Sequence, residues 1–238
     1  MTAREAAVVT ESLLYLALTL AIYALVRKAQ ARFKTPLLNP VLIGIAVLVP
    51  LLVALKVPYQ SYMQGGRFIN FFLEPAVVAL AYPLYQQLDL IRAQWKALLS
   101  TCVLGVLVAM VSGLVIAWLL GADRPVLLSM AAKSVTTPIA MGVSERIGGI
   151  ASLTAVLVLF AGVTGAILGP WLLTLCKVKS PQARGLAMGC AAHAIGTARI
   201  VEESAEAAAF SSLALSLCGI ITAFVAPLVV PLLTEWML

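Results

Sequence analysis

Leu98–Leu120 reads LLSTCVLGVLVAMVSGLVIAWLL, an unbroken apolar run without a charged residue. About 20 such residues carry an α-helix across the hydrocarbon core of a bilayer. The run lacks the alternation of a membrane β-strand. Within lipid every backbone N–H and C=O must be satisfied internally, which leaves a helix. Comparable runs occupy Ser12–Val26, Thr35–Leu55, Ile147–Cys176 and Ala207–Thr234. Of all 238 residues, 62% are hydrophobic and 11% charged, whereas soluble domains carry about 25% charge. A soluble fold of this composition would expose large apolar patches, so lipid is the solvent for most of the surface. The expected fold is all-α and polytopic, one transmembrane domain over residues 1–238.

Three further segments hold ionisable residues inside an apolar frame: Phe68–Leu88 with Glu74, Pro125–Ser144 with Lys133, and Gly185–Val201 with His193 and Arg199. Segments of this kind are where a transporter or channel keeps its site. The count is therefore about seven or eight segments, some broken or re-entrant. Leu98–Leu120 also lines up with Phe210–Leu232, and Phe71–Tyr85 with Ala183–Thr197. This faint repeat would give halves 12–121 and 124–234, the plan of many transporters with interrupted helices at the midplane.

Charge in the loops constrains topology. Arg27–Lys34 (RKAQARFK) is the richest basic loop and is expected in the cytoplasm. If every later segment crossed once, Arg92 and Lys96 would be cytoplasmic, but Lys177, Lys179 and Arg184 would lie outside. One non-crossing segment between Gly121 and Cys176 removes the conflict. The stretch around Ser134–Pro138 is the expected re-entrant break, since non-helical backbone at depth needs protein or a polar cavity around it.

Lys133-Ser134-Val135-Thr136-Thr137-Pro138 carries the clearest chemistry. Proline is favoured at the first turn of a helix, and Thr137 before it reads as an N-cap. A helix beginning at depth offers unpaired N–H donors and positive partial charge to an anion. Ser134, Thr136 and Thr137 add hydroxyls and Lys133 a full charge. A proline kink repaired by neighbouring hydroxyls is the plainer alternative. In His193-Ala194-Ile195-Gly196-Thr197-Ala198-Arg199, Gly196 reads as a helix end and Thr197 as the next cap. Arg199 offers a planar fork for a carboxylate or, alternatively, snorkels to the interface. His193 titrates near neutrality and could carry a proton, although a lone histidine is more often a packing or hydrogen-bonding residue. Glu74, next to Pro75, is either a second proton carrier or a salt-bridge partner. Glu202, Glu203 and Glu206 read as a solvated loop, and Glu145 and Arg146 as interfacial caps.

Several classes are excluded or disfavoured. The net charge of +6 sits at segment ends, not in a basic patch with interleaved aromatics, so no nucleic-acid partner is expected. The single histidine rules out a multi-His metal site within one chain, and Cys102, Cys176, Cys190 and Cys218 read as small packing hydrophobes. No metal or cofactor is expected. There is no HExxH, GxSxG or P-loop, so neither an enzyme nor an ATP-driven pump is expected. No cleavable signal peptide is expected before Ser12, because Glu5 and Glu11 replace a basic leader. Gly162, Gly165 and Gly169, with Ala161 and Ala166, form a small-residue face for close helix packing.

Taken together, Lys133–Met141 (KSVTTPIAM), Ile147–Gly149, Gly185–Gly189 (GLAMG), His193–Arg199 (HAIGTAR) and Ala209–Ala214 (AFSSLA) resemble the LrgB/CidB family of bacterial membrane proteins, in its YohK-like branch. Pro36–Pro40 and Pro75–Tyr85 extend the resemblance over nearly the whole chain from about Thr35. Ala132 and Ala192 depart from the usual family residues, the second removing a hydroxyl beside His193. The resemblance implies one of two functions. The first is a carrier of small monocarboxylates such as pyruvate, glycolate or glycerate, proton-coupled through His193 or Glu74, with Lys133–Pro138 and His193–Arg199 at the substrate. The second is an antiholin-like regulator of murein hydrolase activity and lysis. It also implies a four-helix LrgA/YohJ-like membrane partner, a homo-oligomer such as a dimer or a hetero-oligomer, and multi-pass residence in the bacterial inner membrane.

Overall fold

The computed structural model describes residues 3–33, 38, 40–72, 75, 78, 79, 81–86 and 88–237, and among them there is no β-strand. The helices are α1 (Ala3–Phe33), α2 (Pro40–Ala54), α3 (Tyr59–Asn70), α4 (Ala81–Gln86), α5 (Leu88–Leu119), α6 (Arg124–Met130), α7 (Thr137–Ile147), α8 (Ala151–Leu175), α9 (Pro181–Ile200) and α10 (Ala205–Met237). Four stretches are long and apolar enough to cross a membrane: Val9–Phe33, Ile91–Leu119, Ala151–Leu175 and Ala205–Met237. Large side chains on their outer faces, among them Phe160, Trp171 and Phe224, are exposed, as lipid contact requires. Glu74 lies outside the described residues.

The chain divides into two compact units, Met1–Val78 and Ala79–Leu238; the division falls inside the first of the two halves drawn from the repeat. In the first unit α1 packs against α2 and α3. Gly65 of α3 lies so close to the Ser12 carbonyl that no Cβ would fit. The contact continues with Thr19 Oγ1 3.0 Å from Tyr62 Oη and Tyr15 edge-on to Tyr62. The sequence reading assigns no element to residues 59–67 and begins the next segment at Phe68, inside this helix. Its Gln, Ser and Arg residues interrupt the apolar run, and packing on α1 holds it.

In the second unit α5 and α10 run parallel. Leu98 near the start of α5 packs with Phe210 and Leu213 near the start of α10, and the Cys102 carbonyl lies 3.9 Å from Cys218 Sγ farther along. Between them the chain makes two hairpins and one crossing. The first hairpin is α6, a turn over 131–136, and α7. Asp123 caps its entrance by accepting the Val126 N–H at 3.2 Å, and Gly148 ends α7 at φ 87. The return is recorded by hydrogen bonds: the Ile150 N–H donates to Ser129 Oγ at 2.8 Å. Thr154 Oγ1 lies 3.1 Å from the Ser129 carbonyl and 2.7 Å from Ser144 Oγ. The segment therefore goes in and comes back, the non-crossing break that the loop charges demand. After it α8 makes the crossing.

The second hairpin is α9 itself. Nineteen residues of straight helix would separate positions 184 and 203 by about 28 Å. Instead Arg184 Nε and Nη2 donate to the two Glu203 carboxylate oxygens at 2.7 and 2.9 Å. The reversal occurs at His193, whose φ of 41 and ψ of −136 leave the helical region. Arms 181–192 and 194–200 result. Gly196 and Thr197, read from sequence as the break and the cap, lie inside the second arm. Glycine is needed at 196 because a Cβ would sit 2.8 Å from the Met188 carbonyl oxygen of the first arm. Ile91, Leu98, Leu186 and Phe210 cluster at one end of the unit. Arg92, Lys96 and Arg184 thus share that end, as the charge rule expects.

Candidate functional site

The tip of the first hairpin is built from the Lys133–Pro138 motif. Successive tight turns, Lys133 N–H to the Met130 carbonyl and Val135 N–H to the Ala132 carbonyl, both 3.3 Å, lead into α7. Thr136 is the N-cap, with φ −61 and ψ 144. This corrects the assignment of Thr137, which stands in the first turn with Pro138, where a missing N–H costs nothing. The Thr136 hydroxyl does not cap the helix; its Oγ1 is buried without a hydrogen-bond partner. A buried unpaired hydroxyl is unfavourable by about 1–3 kcal/mol. Lys133 reaches across α5: Nζ donates to the Ala109 carbonyl at 2.8 Å. It lies over Gly113, where a Cβ would be 2.9 Å from Nζ. An ammonium has three N–H donors, so this contact leaves others for an anion. Ser134, Thr137 and Pro138 are half-buried around it.

The tip of the second hairpin is His193, 3% exposed. Its Nε2 lies 3.0 Å from the Val158 carbonyl of α8. A carbonyl only accepts, so Nε2 carries the hydrogen and Nδ1 is the nitrogen left open. The small-residue face of α8 is its seat: Cβ atoms at Gly162, Gly165 and Gly169 would meet the His193 ring, Ala192 and Met188 within 2.7 Å. Thr197 Oγ1 donates to the His193 carbonyl at 2.9 Å and lies 2.8 Å from Ser211 Oγ of α10. Arg199 is not at the tip. It stands at the open end of the hairpin, paired with Glu202 at 2.9 Å. The three glutamates read as a solvated loop are a clasp there: Glu203 on Arg184, Glu202 on Arg199, and Glu206 accepting from Gln182 at 3.0 Å. Arg184 holds the Glu203 carboxyl below the usual carboxylate range, and Glu203 raises the guanidinium in turn. A cleft of about 470 Å³ beside this clasp is lined by Lys177, Lys179 and Arg184.

The two tips meet the same neighbours. Cys190, one turn before His193, faces Gly105 of α5, where a Cβ would lie 3.3 Å from it, and its Sγ is 3.2 Å from Cys218 Sγ of α10. Lys133 sits on Ala109, one turn from Gly105, and Ile139 at the start of α7 packs on Gly219, beside Cys218. Both contacts fall about halfway along the apolar spans of α5 and α10. Among the described residues no hydrogen bond or ion pair joins Lys133–Pro138 directly to His193–Arg199. A second cleft of about 470 Å³ runs between α5 and the first arm and is lined by Thr101, Gly105, Ala109, Ala187 and Cys190, so it reaches neighbours of both tips. The convergence of Cys102, Cys190 and Cys218 is not visible in the sequence, where the three are far apart and without metal-site spacing.

The profile of the LrgB-like family matches residues 19–232. YxaC of Bacillus subtilis (strain 168), described as uncharacterized, is 40% identical over 219 residues, 92% of this chain and 95% of that protein. The holin-like protein CidB of Staphylococcus epidermidis is 33% identical over 220 residues, 92% of this chain and 96% of its own. The antiholin-like protein LrgB of Bacillus mycoides is 39% identical over 200 residues, covering 83% and 84%. No solved structure matches the chain. With two half-inserted hairpins meeting among membrane-spanning helices, and with this match over most of its length, the chain belongs to the LrgB family of multi-pass membrane proteins.

Proposed function

We propose that this chain acts in the control of membrane integrity that its holin-like and antiholin-like relatives are named for, and that its physical work there is the gated passage of small monocarboxylates. The relatives' names support the first part most directly. The observation that supports the second is the meeting of two broken segments halfway along α5 and α10. One presents the N-terminus of α7, the Lys133 ammonium and the unpaired Thr136 hydroxyl. Helix ends and cations at the midplane are how carriers hold anionic substrates. Lys133, Ser134, Thr136, Thr137 and Pro138 form the anion end. His193, Gly196 and Thr197 shape the facing hairpin, and Arg199 stands at its mouth. Coupling to protons would run through the open Nδ1 of His193 or through Glu74. The work is transport without a chemical reaction, in the bacterial inner membrane, as an oligomer with a four-helix LrgA/YohJ-like partner.

Vesicles containing the chain, with and without that partner, decide between carrier and lesion. Uptake of labelled pyruvate or glycolate is measured with and without an imposed pH gradient, alongside release of a neutral solute of similar size. A carrier gives saturable carboxylate uptake, lost in Lys133→Met, with the neutral solute retained. Equal leakage of both, unchanged in Lys133→Met, would remove the carrier and leave direct control of membrane lesions.

A further inference from the structure

Cys102 of α5, Cys190 of the first arm and Cys218 of α10 come from three separate elements, and their Sγ atoms all lie within 4.8 Å of one another. All three are free and buried, and Cys190 and Cys218 Sγ are 3.2 Å apart. Three sulfurs bound to one ion at about 2.3 Å stand about 4 Å from each other in a trigonal plane, a spacing this cluster reaches by small side-chain rotations. A disulfide would use only two of them. Zinc calls for a fourth ligand, and among the described residues no histidine or carboxylate joins the group. Thiolates without a further donor select a soft ion, Cu(I) foremost.

We propose that Cys102, Cys190 and Cys218 form a three-sulfur site for one Cu(I) ion. Each coordinating thiol gives up its proton to solvent as its sulfur–copper bond forms, with no change of oxidation state. The Lys133 ammonium, held on Ala109 two turns along the same face of α5, offsets part of the negative charge that results. Occupation ties the first arm of the second hairpin to both parallel spans, close to where the tips meet. Cys176, exposed at the end of α8, takes no part.

The test uses the purified full chain in micelles under argon, with Cu(I) supplied as its bicinchoninate complex. The chain should withdraw one Cu(I) per molecule from the coloured chelate and release protons as it does. X-ray absorption should show three sulfurs near the about 2.3 Å typical of metal–thiolate bonds. Cys102→Ser, Cys190→Ser and Cys218→Ser should each weaken retention at least tenfold, and Cys176→Ser should leave it unchanged. No withdrawal by the wild type, a two-sulfur shell, full retention in any of the three variants, or loss in Cys176→Ser would each overturn the site. The wild-type spectrum stands whether or not the variants fold.

Discussion

Replacing Gly162 by alanine tests the seat of the second hairpin. The added methyl would lie 2.7 Å from Cε1 and Nε2 of His193. Carbon contacts settle at about 3.5–4.0 Å, so the ring must retreat by about 1 Å. That retreat stretches the 3.0 Å Nε2–H···O=C bond to Val158 beyond hydrogen-bonding range. Losing a buried hydrogen bond is worth about 1–3 kcal/mol, and overpacking a tight site about the same. One displacement relieves both, so they do not add. Helix propensity returns about 0.5–1 kcal/mol for Gly→Ala. The net expectation is a loss of about 1–2 kcal/mol. Gly142, in α7 with open space around its Cβ position, is the control and should gain about 0.5–1 kcal/mol. The assay is unfolding in mixed micelles with rising SDS fraction, followed by far-UV circular dichroism. In a His193→Ala background only the end of the Ile195 side chain, 2.8 Å from the added methyl, must give way, so the loss should turn into the propensity gain of about 0.5–1 kcal/mol, a coupling of about 1.5–3 kcal/mol between contacting residues. A Gly162→Ala protein as stable as Gly142→Ala, with His193 in place, would refute the seat.

Three other outcomes are expected. Cysteines at Ala122 and Arg146, in a Cys176→Ser chain, should label from the same side of the membrane, and native Cys176 from the other; labelling of positions 122 and 146 from opposite sides would mean the first hairpin crosses. The Glu203 carboxyl is held below its ordinary range by Arg184, so the clasp is fully formed above the ordinary carboxylate pKa and is lost as pH falls through the depressed one. Hydrogen-exchange protection over residues 197–204, taken relative to the intrinsic rate at each pH, should therefore fall on acidification in the wild type, and in Glu203→Gln it should be low and independent of pH, an effect under about 1 kcal/mol for a solvent-accessible pair. Thr136→Val replaces a buried unpaired hydroxyl with a methyl of similar size and should stabilise the chain by about 1 kcal/mol while lowering carboxylate uptake at least tenfold; stability and uptake that fall together would place the hydroxyl in the fold and not at a ligand.

What the sequence reveals follows physical range. Long apolar runs need only the bilayer as their reference, so α1, α5, α8 and α10 are legible from composition. The break at Lys133–Pro138 is legible because its causes are local, a proline and hydroxyls in one turn. The break in α9 is misplaced by three residues. Gly196 carries the local signal for a helix end, but its glycine serves the close approach to Met188. His193 takes a positive φ that its own chemistry disfavours by about 1–3 kcal/mol, because Val158 and the glycines of α8 fix its ring. Arg199 illustrates the same limit. Its nearness in sequence to His193 reads as a shared site around a break at Gly196, and with the reversal at His193 the second arm leads it back to the mouth. The cysteine cluster has no local signal at all.

The two hairpins are also held by different means. In the first, Ser129, Ser144 and Thr154 are buried and bonded to one another and to backbone, and moving it would strand polar groups in an apolar interior. The second rests on glycine faces, at Gly185 and Gly189 against α10 and at Gly162, Gly165 and Gly169 against α8. Polar contacts supplement them: the His193 ring, the Thr197–Ser211 hydroxyl pair, the clasp at its mouth and, there too, Arg184 donating to Thr174 Oγ1 and to the Val178 and Pro170 carbonyls. Small-residue faces are held by van der Waals packing alone, whereas a buried, fully satisfied hydrogen-bonded cluster rigidifies what it joins. If one tip moves against the other during a cycle, the second hairpin is the mobile one and the first, with Lys133 and Thr136, is the fixed anvil. Cross-linking distinguishes them. A bridge between cysteines at Ser129 and Ile150 should leave carboxylate uptake intact, while one between cysteines at Thr197 and Ser211 should abolish it, and the reverse pattern would exchange the roles.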